Sequence, residues 1–515
     1  MKNSIFLVGL LLYAGNALGQ ADIYAGDAFR YSEITQTGTA RMRALGGNHA
    51  SLGGDASSVF GNPAGLGFYN RSEISLSPSI NITSAQATYI GNQRSNSITK
   101  PGISQFGLIL AGNKQNENRR WRRTALGITY SRQVNLANNF QFQARNNRSS
   151  IVDTYIVDAN DRNLTGAQID ADYNTSTNEA RYLAAAAYQL FLINGTASST
   201  NPNQTGPPYF RYDASAPTDQ LNTFESSGGH SQWTIAYAGN LDDKLYLGAS
   251  LGISRLRYDF ENVFRETVVG GAVFNNYSQI DNLTVTGNGI NFSFGLIYKP
   301  DRNLQIGASL ATPNFTSIKE SFEQSIRVDA KDPSLPINRN EVFVEPINFE
   351  YNLTTPFRAS GGLTYFLGSG KIGFITATAD YVGYGGMRAT TKVYDTQDNT
   401  AFKNDVKTEV MNTYKNVVNL RAGAEIRAGL LRVRGGVAYL PDAYKQQLNN
   451  IDRSRVLVSG GLGIRTDRFF VDASGTYTTA KSAYTPYTLP NTADYASAQI
   501  DSKMTNITLT LGAFF

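Results

Sequence analysis

His49 and His230 are the only two histidines of the 515-residue chain, and cysteine is absent. That composition removes disulfides, thiolate metal sites and cysteine nucleophiles. No spacing ties either histidine to a serine and an acid as an acyl-transfer triad requires. Gly368-Ser369-Gly370-Lys371 has the tail of a phosphate-binding loop, but it lacks the upstream glycine and precedes a strand-like run instead of a helix. It reads as a hairpin turn. Asp158, Asn160 and Asp161 offer oxygen ligands for calcium, yet their spacing misses the EF-hand pattern and a solvated loop is the better reading. Nothing here calls for a metal, a cofactor or an enzyme. The arginines are more informative. Arg421 and Arg427 lie in NLRAGAEIR, Arg432 and Arg434 follow in LRVRGGVAY, and Arg358 follows Phe357. Each alternates with apolar neighbours, so the guanidinium groups share a face opposite a hydrocarbon-like one. Such a face can hold a carboxylate or phosphate, or form a ladder with Glu425 and similar acids.

The elements that present these side chains are strands. Leu420, Ala422, Ala424 and Ile426 share one face, and after a turn at Ala428-Gly429-Leu430 so do Leu431, Val433, Gly435, Val437 and Tyr439. Apolar residues out and charge in is the reverse of a soluble protein and suits a wall between hydrocarbon and a watery lumen. The design repeats at Leu245–Ile253, Ile290–Tyr298 and Leu304–Leu310. It recurs in the final run ITLTLGAFF, where Ile507, Leu509, Leu511, Ala513 and Phe515 face one way. Tight turns at 240–243, 299–303, 367–370 and 466–468 alternate with longer loops. About fourteen runs from Ser72 onward predict an all-β fold, a transmembrane antiparallel barrel of even strand number over residues 72–515. A charged fraction of 17% with Gly 48, Tyr 29 and Phe 27 agrees. No apolar run matches the length of a spanning helix. The net charge of +5 comes from scattered basic residues, which suits anionic lipid and gives no case for nucleic acid.

Three segments break the pattern. Pro78 falls inside the first strand and predicts a bulge. Residues 147–229 predict a long extracellular insert, placed outside the barrel, with a helix over 179–193 started by Ser176 and a Glu179 capping box. That helix reads as a cap packed on neighbouring loops, or else as an apolar landing surface for a ligand. Residues 20–71 are glycine-rich and lack alternation. A lumen of about fourteen strands is too wide for side chains alone to fill, so this segment predicts a plug. Residues 1–19 read as a signal peptide, with Lys2, a short apolar core and Ala17-Leu18-Gly19 as cleavage site, which routes the chain to the bacterial outer membrane.

The run Asp55-Ala56-Ser57-Ser58-Val59-Phe60-Gly61-Asn62-Pro63-Ala64-Gly65-Leu66 resembles the hatch signature of the FadL family of outer-membrane transporters for long-chain fatty acids and other hydrophobic compounds. Gly38-Thr39-Ala40-Arg41, Ala44-Leu45-Gly46-Gly47 and Leu52-Gly53-Gly54-Asp55 resemble its Bacteroidetes-type branch. The insert is long for that family. The resemblance implies passive uptake: extracellular capture of a fatty acid-like molecule, a hatch-gated pocket, and lateral exit into lipid. It makes Asn62, Pro63, Ala64 and Gly65 the hatch motif and Phe515 an assembly signal for the barrel-insertion machinery. Outer-membrane lipid and lipopolysaccharide are the implied surroundings. Arg358, Arg421, Arg427, Arg432 and Arg434 are the candidate anion-binding groups. The alternative is a non-transporting barrel of this type that serves as subunit of a secretion or assembly complex, and an outer-membrane enzyme is the third class.

Overall fold

The computed structural model describes residues 18–515 apart from 34–35, 113–119, 200–203, 214–216, 336, 338 and 448–449. The signal-peptide reading therefore lies outside the described residues, save Leu18 and Gly19, which begin a helix.

Fourteen antiparallel wall strands form the barrel. They are β1 Glu73–Tyr89, β2 Asn92–Gly112, β3 Trp121–Asn135 continued by Asn138–Asn146, β4 Thr218–Leu241, β5 Leu245–Val268 and β6 Phe274–Tyr298. Next come β7 Leu304–Ala311 continued by Phe315–Ala330, β8, whose lower part Arg358–Leu367 follows its upper part Glu341–Thr354, and β9 Gly373–Val382 continued by Arg388–Thr391. The ring ends with β10 Val417–Ala428, β11 Leu431–Leu440, β12 Arg455–Arg465, β13 Phe469–Tyr484 and β14 Ala498–Phe514. The last strand pairs with the first, and Ser72 and Phe515 exchange both backbone hydrogen bonds at 3.0 Å, which closes the wall. The bulge predicted at Pro78 is present: the register slips between Ser77 and Pro78, where the ring nitrogen has no hydrogen to give.

The predicted faces hold. Leu420, Ile426, Leu431, Val433, Val437 and Tyr439 are exposed on the outer surface, while Arg421 and Arg434 are buried in the lumen. Outward Trp121, Tyr298, Tyr365 and Phe469 stand near the short-turn end, and outward Trp233, Tyr439 and Tyr477 stand higher, as two aromatic rings around an apolar band. On β4 eight residues separate the level of Trp121, paired with Leu241, from that of Trp233. Along the strand that is roughly 27 Å before tilt.

Above the upper ring the alternation inverts. On β5, Leu247 and Ile253 face out below, then Arg255, Arg257, Glu261 and Arg265. Its inward positions change from Ser250 and Ser254 to Leu256, Tyr258 and Phe264. The strands leave the membrane there, so water lies outside and the apolar residues turn inward. They must bury against something, and the insert supplies it.

The insert is residues 147–217, shorter than 147–229, because Thr218 already begins β4. It is not outside the barrel but fills its wide mouth. Helices α3 Val152–Arg162 and α5 Leu183–Gln189 bury Tyr155, Leu190 and Ala184 to Ala187 against Tyr89, Phe142, Phe264, Ile326, Val344 and Ile500 of the strand tops. The predicted helix is thus shorter than 179–193 and lacks the Ser176 cap. Glu179 and Ala180 are captured as a short parallel strand by Phe343 and Val344, and Phe191 at φ +58° ends the helix. A capping box does occur in the insert, between Thr165 and Gln168 at the start of helix α4 Gly166–Ala171. The cap reading holds over the landing-surface one, since the apolar side is buried.

Candidate functional site: the hatch, its cavity and the wall gap

Residues 37–69 thread the lumen with almost every side chain buried. Thr39 caps the short helix α2 Ala40–Ala44, and its hydroxyl donates to the Asp55 carboxylate at 2.9 Å, which ties the two halves of the plug together. Asn62 then does three jobs. Its Oδ1 accepts from Ala64 N at 3.1 Å and starts the turn that Pro63 pre-sets. Its Nδ2 donates to Ala50 O at 2.6 Å within the hatch, and to Ala308 O and Leu296 O at 3.1 and 3.3 Å in the wall. Gly65 follows at a close approach, where a β-carbon would stand 2.5 Å from Ser58 Oγ.

The wall is hollowed to receive this plug. A β-carbon on Gly248 would meet Pro63 at 2.5 Å, one on Gly307 would meet Ala50 O at 1.9 Å, and one on Gly436 would meet Gly46 N at 2.3 Å. Charge completes the docking. Arg434 is 3% exposed and bridges Glu425 at 2.7 Å and Asp472 at 2.5 Å. Arg427 joins Glu425 at 2.8 Å, and Arg41 of the hatch reaches Glu425 and Asp55 at 3.8 Å. Arg421 pairs with Asp380 at 2.7 Å and donates to Gly46 O at 3.0 Å; Arg358 donates to Ser32 O. Arg432 folds back on Gly429 O and Leu431 O in its own hairpin at the short-turn end. These five arginines are therefore engaged with carboxylates, hatch carbonyls or their own turn. Removing one partner of such a buried pair strands the other charge.

Above the plug lies a cavity of about 510 Å³. Helix α1 Leu18–Arg30 forms one side through Phe29 and Arg30, held in place by Tyr24, Ala28 and Tyr31 against Leu256, Phe349 and Tyr351 and against Phe402, Val406 and Val410 of α6 Thr396–Thr413. Ile82, Val134, Phe140, Phe224 and Tyr258 supply apolar lining. None of the five arginines read from the strands lines it. Its cations include Arg30, paired with Asp27, Arg455, paired with Glu33, and Arg43. Arg43 differs in kind. It is 6% exposed and among the described residues its guanidinium bonds to neutral groups, Gly38 O at 3.1 Å and Asn506 Oδ1 at 3.0 Å. Burial pulls its pKa down to about 10, so it stays a cation at neutral pH. The strand period could not find it, because it sits on a one-turn helix in the plug.

The cavity lining continues to a break in the wall. β2 and β3 share a ladder only from Gly112↔Thr124 to Gln105↔Ser131. Beyond that, residues 92–104 bond to β1 and 138–146 to β4, with no ladder between them. Contact resumes through side chains, Asn96 to Asn139 at 2.6 Å and Arg94 to Gln141 at 3.3 Å. The cause is local. β3 slips register between Arg132 and Val134 and stops at Asn135; Leu136 is then drawn toward β4 by Gly228 O and Ser226 Oγ. Gly228 holds φ +105°, where a β-carbon would stand 2.1 Å from Arg257 O. Ser104 on one lip and Arg132, Gln133 and Asn135 on the other line the cavity.

His49 and His230 are both buried in the lumen, far from any triad. Gly368 to Gly370 form a left-handed turn at positive φ, and Asp158 pairs with Arg162 at 2.9 Å. Among the described residues no group of acids and histidines is placed to hold a metal.

No protein-family model and no curated protein matches the chain. Solved structures do. A Pseudomonas aeruginosa FadL homologue superposes with a TM-score of 0.54 at 13% identity, over 93% of this chain and 99% of that one. The P. putida toluene transporter TodX superposes at 0.52 and 12%, over 93% and 99%. At such identities the likeness concerns architecture, and on that ground the chain has the FadL-type fold, a closed barrel of fourteen antiparallel strands.

Proposed function

We propose that the chain is an outer-membrane channel for passive uptake of hydrophobic compounds, of which long-chain fatty acids suit the cavity best. The carrying observation is the single space of about 510 Å³ that has the plug below it, Arg43 in its wall and both lips of the β2–β3 break in its lining. That volume falls within the range of ligand pockets, roughly 300–1,000 Å³. An acyl chain gains about 0.8 kcal/mol for each methylene buried in hydrocarbon, so sideways escape through an unpaired stretch of wall avoids the water below the plug. Arg43, a buried cation without a carboxylate among the described residues, is the partner for an acid head group. The short-turn end faces the periplasm, and the capped mouth faces outward. The likeness in fold to a FadL homologue and to a toluene transporter supports this reading.

Uptake of a radiolabelled long-chain fatty acid should exceed that of a strain lacking the protein, and the purified barrel should carry acyl chains detectable by mass spectrometry. Equal uptake in the two strains rejects transport. A second reading has one observation in its favour: the insert fills the outer mouth, so capture from outside needs the cap to move. A non-transporting barrel in a secretion or assembly complex has no such need. A stoichiometric protein partner without bound acyl chains would select it.

A further inference from the structure

The inversion of side-chain polarity on β5 marks the outer edge of the hydrocarbon. On β4 and β5 the continuous outward rows that begin at Leu241 and Leu245 and hold no charged side chain end at Trp233 and Ile253, which pair with each other. Trp233 is 50% exposed and packs against Tyr130 at 5.5 Å, an aromatic group suited to the headgroup boundary. The next outward row is where lipid phosphates lie. Ser231 pairs with Arg132 on one side and Arg255 on the other, so the two arginines stand at one level, two strand spacings or about 10 Å apart. Arg257 follows two residues above Arg255, about 7 Å along the strand.

Two of these three cations have no carboxylate partner among the described residues. Arg255 has neither an ion pair nor a hydrogen bond among the described residues. Arg132 is held by Asn135 Oδ1 at 3.2 Å and Gly228 O at 2.7 Å, with no carboxylate. Arg257 shares Asp259 at 2.8 Å. The other acids facing this surface, Glu225 and Glu261, oppose each other further up, and elsewhere on the wall Lys319 is neutralised by Glu350 at 2.5 Å. A row of positive charge thus sits directly over an aromatic and aliphatic surface. That pairing fits a molecule with an anionic head and apolar tails.

We propose that Arg132, Arg255 and Arg257 bind the phosphate of a glycolipid of the outer leaflet, beside the β3 lip of the β2–β3 break where the shared ladder ends. The guanidinium groups take the phosphate oxygens, and the first sugar or acyl carbons rest on Trp233 and Tyr130. Arg255 and Arg257 stand on the outer wall and Arg132 at the lip of the break, and lipid binding at this site does not require that the cavity carry a solute. Its position gives it a consequence, since a lipid held by Arg132 borders the opening.

The test uses the full-length barrel in detergent micelles, with diphosphoryl lipid A, its dephosphorylated form and inorganic phosphate as separate probes, read by native mass spectrometry. Wild type should retain diphosphoryl lipid A through detergent exchange and lose the dephosphorylated form. Arg132→Gln/Arg255→Gln/Arg257→Gln should lose retention by about tenfold or more, as charged hydrogen bonds of this kind are worth. Arg255→Gln alone, an exposed change that leaves the wall ladder intact, should lower it measurably. Arg265→Gln, higher on the same face and bonded to Asn276, is the control and should retain the lipid. Equal retention of the two lipids, unaltered retention in the triple variant, or equal occupancy by inorganic phosphate alone would each overturn the assignment.

Discussion

Gly295 of β6 lies directly beneath Asn62 of the plug: a β-carbon there would stand 1.9 Å from Asn62 Oδ1. The empty side chain of one residue is the seat of the other. Gly295→Val should therefore unseat the hatch from the wall side, as Asn62→Ala or Gly65→Val should from the plug side. All three should change fatty-acid uptake and raise sensitivity to bulky antibiotics while heat-modifiable mobility stays near wild type. Normal permeability in all three would show that the turn merely fills space.

Arg43→Gln separates head-group recognition from hydrophobic passage. Uptake of a long-chain fatty acid should fall by about tenfold, the order expected for a buried charge-assisted hydrogen bond. Uptake of an uncharged hydrocarbon should be little changed. Equal loss for both would mean that Arg43 only supports the plug through Gly38 and Asn506.

The absence of native cysteine makes a crosslink across the wall unambiguous. Asn96→Cys/Asn139→Cys places thiols where two side chains now touch at 2.6 Å, at the far end of the unpaired stretch. Oxidation should depress uptake and reductant should restore it. Full uptake in the oxidised protein would place the exit elsewhere.

His49 provides a pH dependence. Buried against Gly38 and Gly61, its ring has a pKa pulled down to about 4 by loss of solvent, with Asp55 acting weakly the other way. In an undocked hatch it returns to about 6.5. The docked form thus binds fewer protons between these values, and docking weakens by up to about tenfold per unit as pH falls from 6.5 toward 4, with no change above that window. Protease cleavage of the hatch should rise between pH 7 and pH 5, and His49→Gln should flatten the rise.

Phe515 joins Ser72 at the seam. Deleting it should lower the folded, membrane-inserted fraction, measured by heat-modifiable mobility. Unchanged insertion would remove its role as an assembly signal.

Much of this was readable in the chain, and the part that was not has a physical cause. Period-two alternation gave the lipid-facing sets from Leu431 to Tyr439 and from Ile507 to Leu511, because hydrocarbon imposes one demand on every strand. The plug was visible as a loss of that period around NPAG. A single polarity rule along whole strands leaves the insert outside the barrel, whereas Leu256, Tyr258 and Phe264 turn inward on β5 and Phe264 draws it into the mouth. The cavity cation has no such mark in the sequence. Arg43 acquires its role from what surrounds it in space, and Arg421 and Arg434 look equally suitable until their carboxylates are seen. The break between β2 and β3 depends on a one-residue slip near Arg132, which leaves no mark on composition.

The seam between β1 and β14 carries an implication for how the molecule holds together. The plug precedes β1 without a spacer, and its contacts reach Thr510 on β14, Ser459 on β12 and Thr364 on β8. The closed ring and the seated hatch therefore hold each other: pairing of the first and last strands brings Thr510 to Ala40, and the hatch in turn ties β14 to β12 and β8.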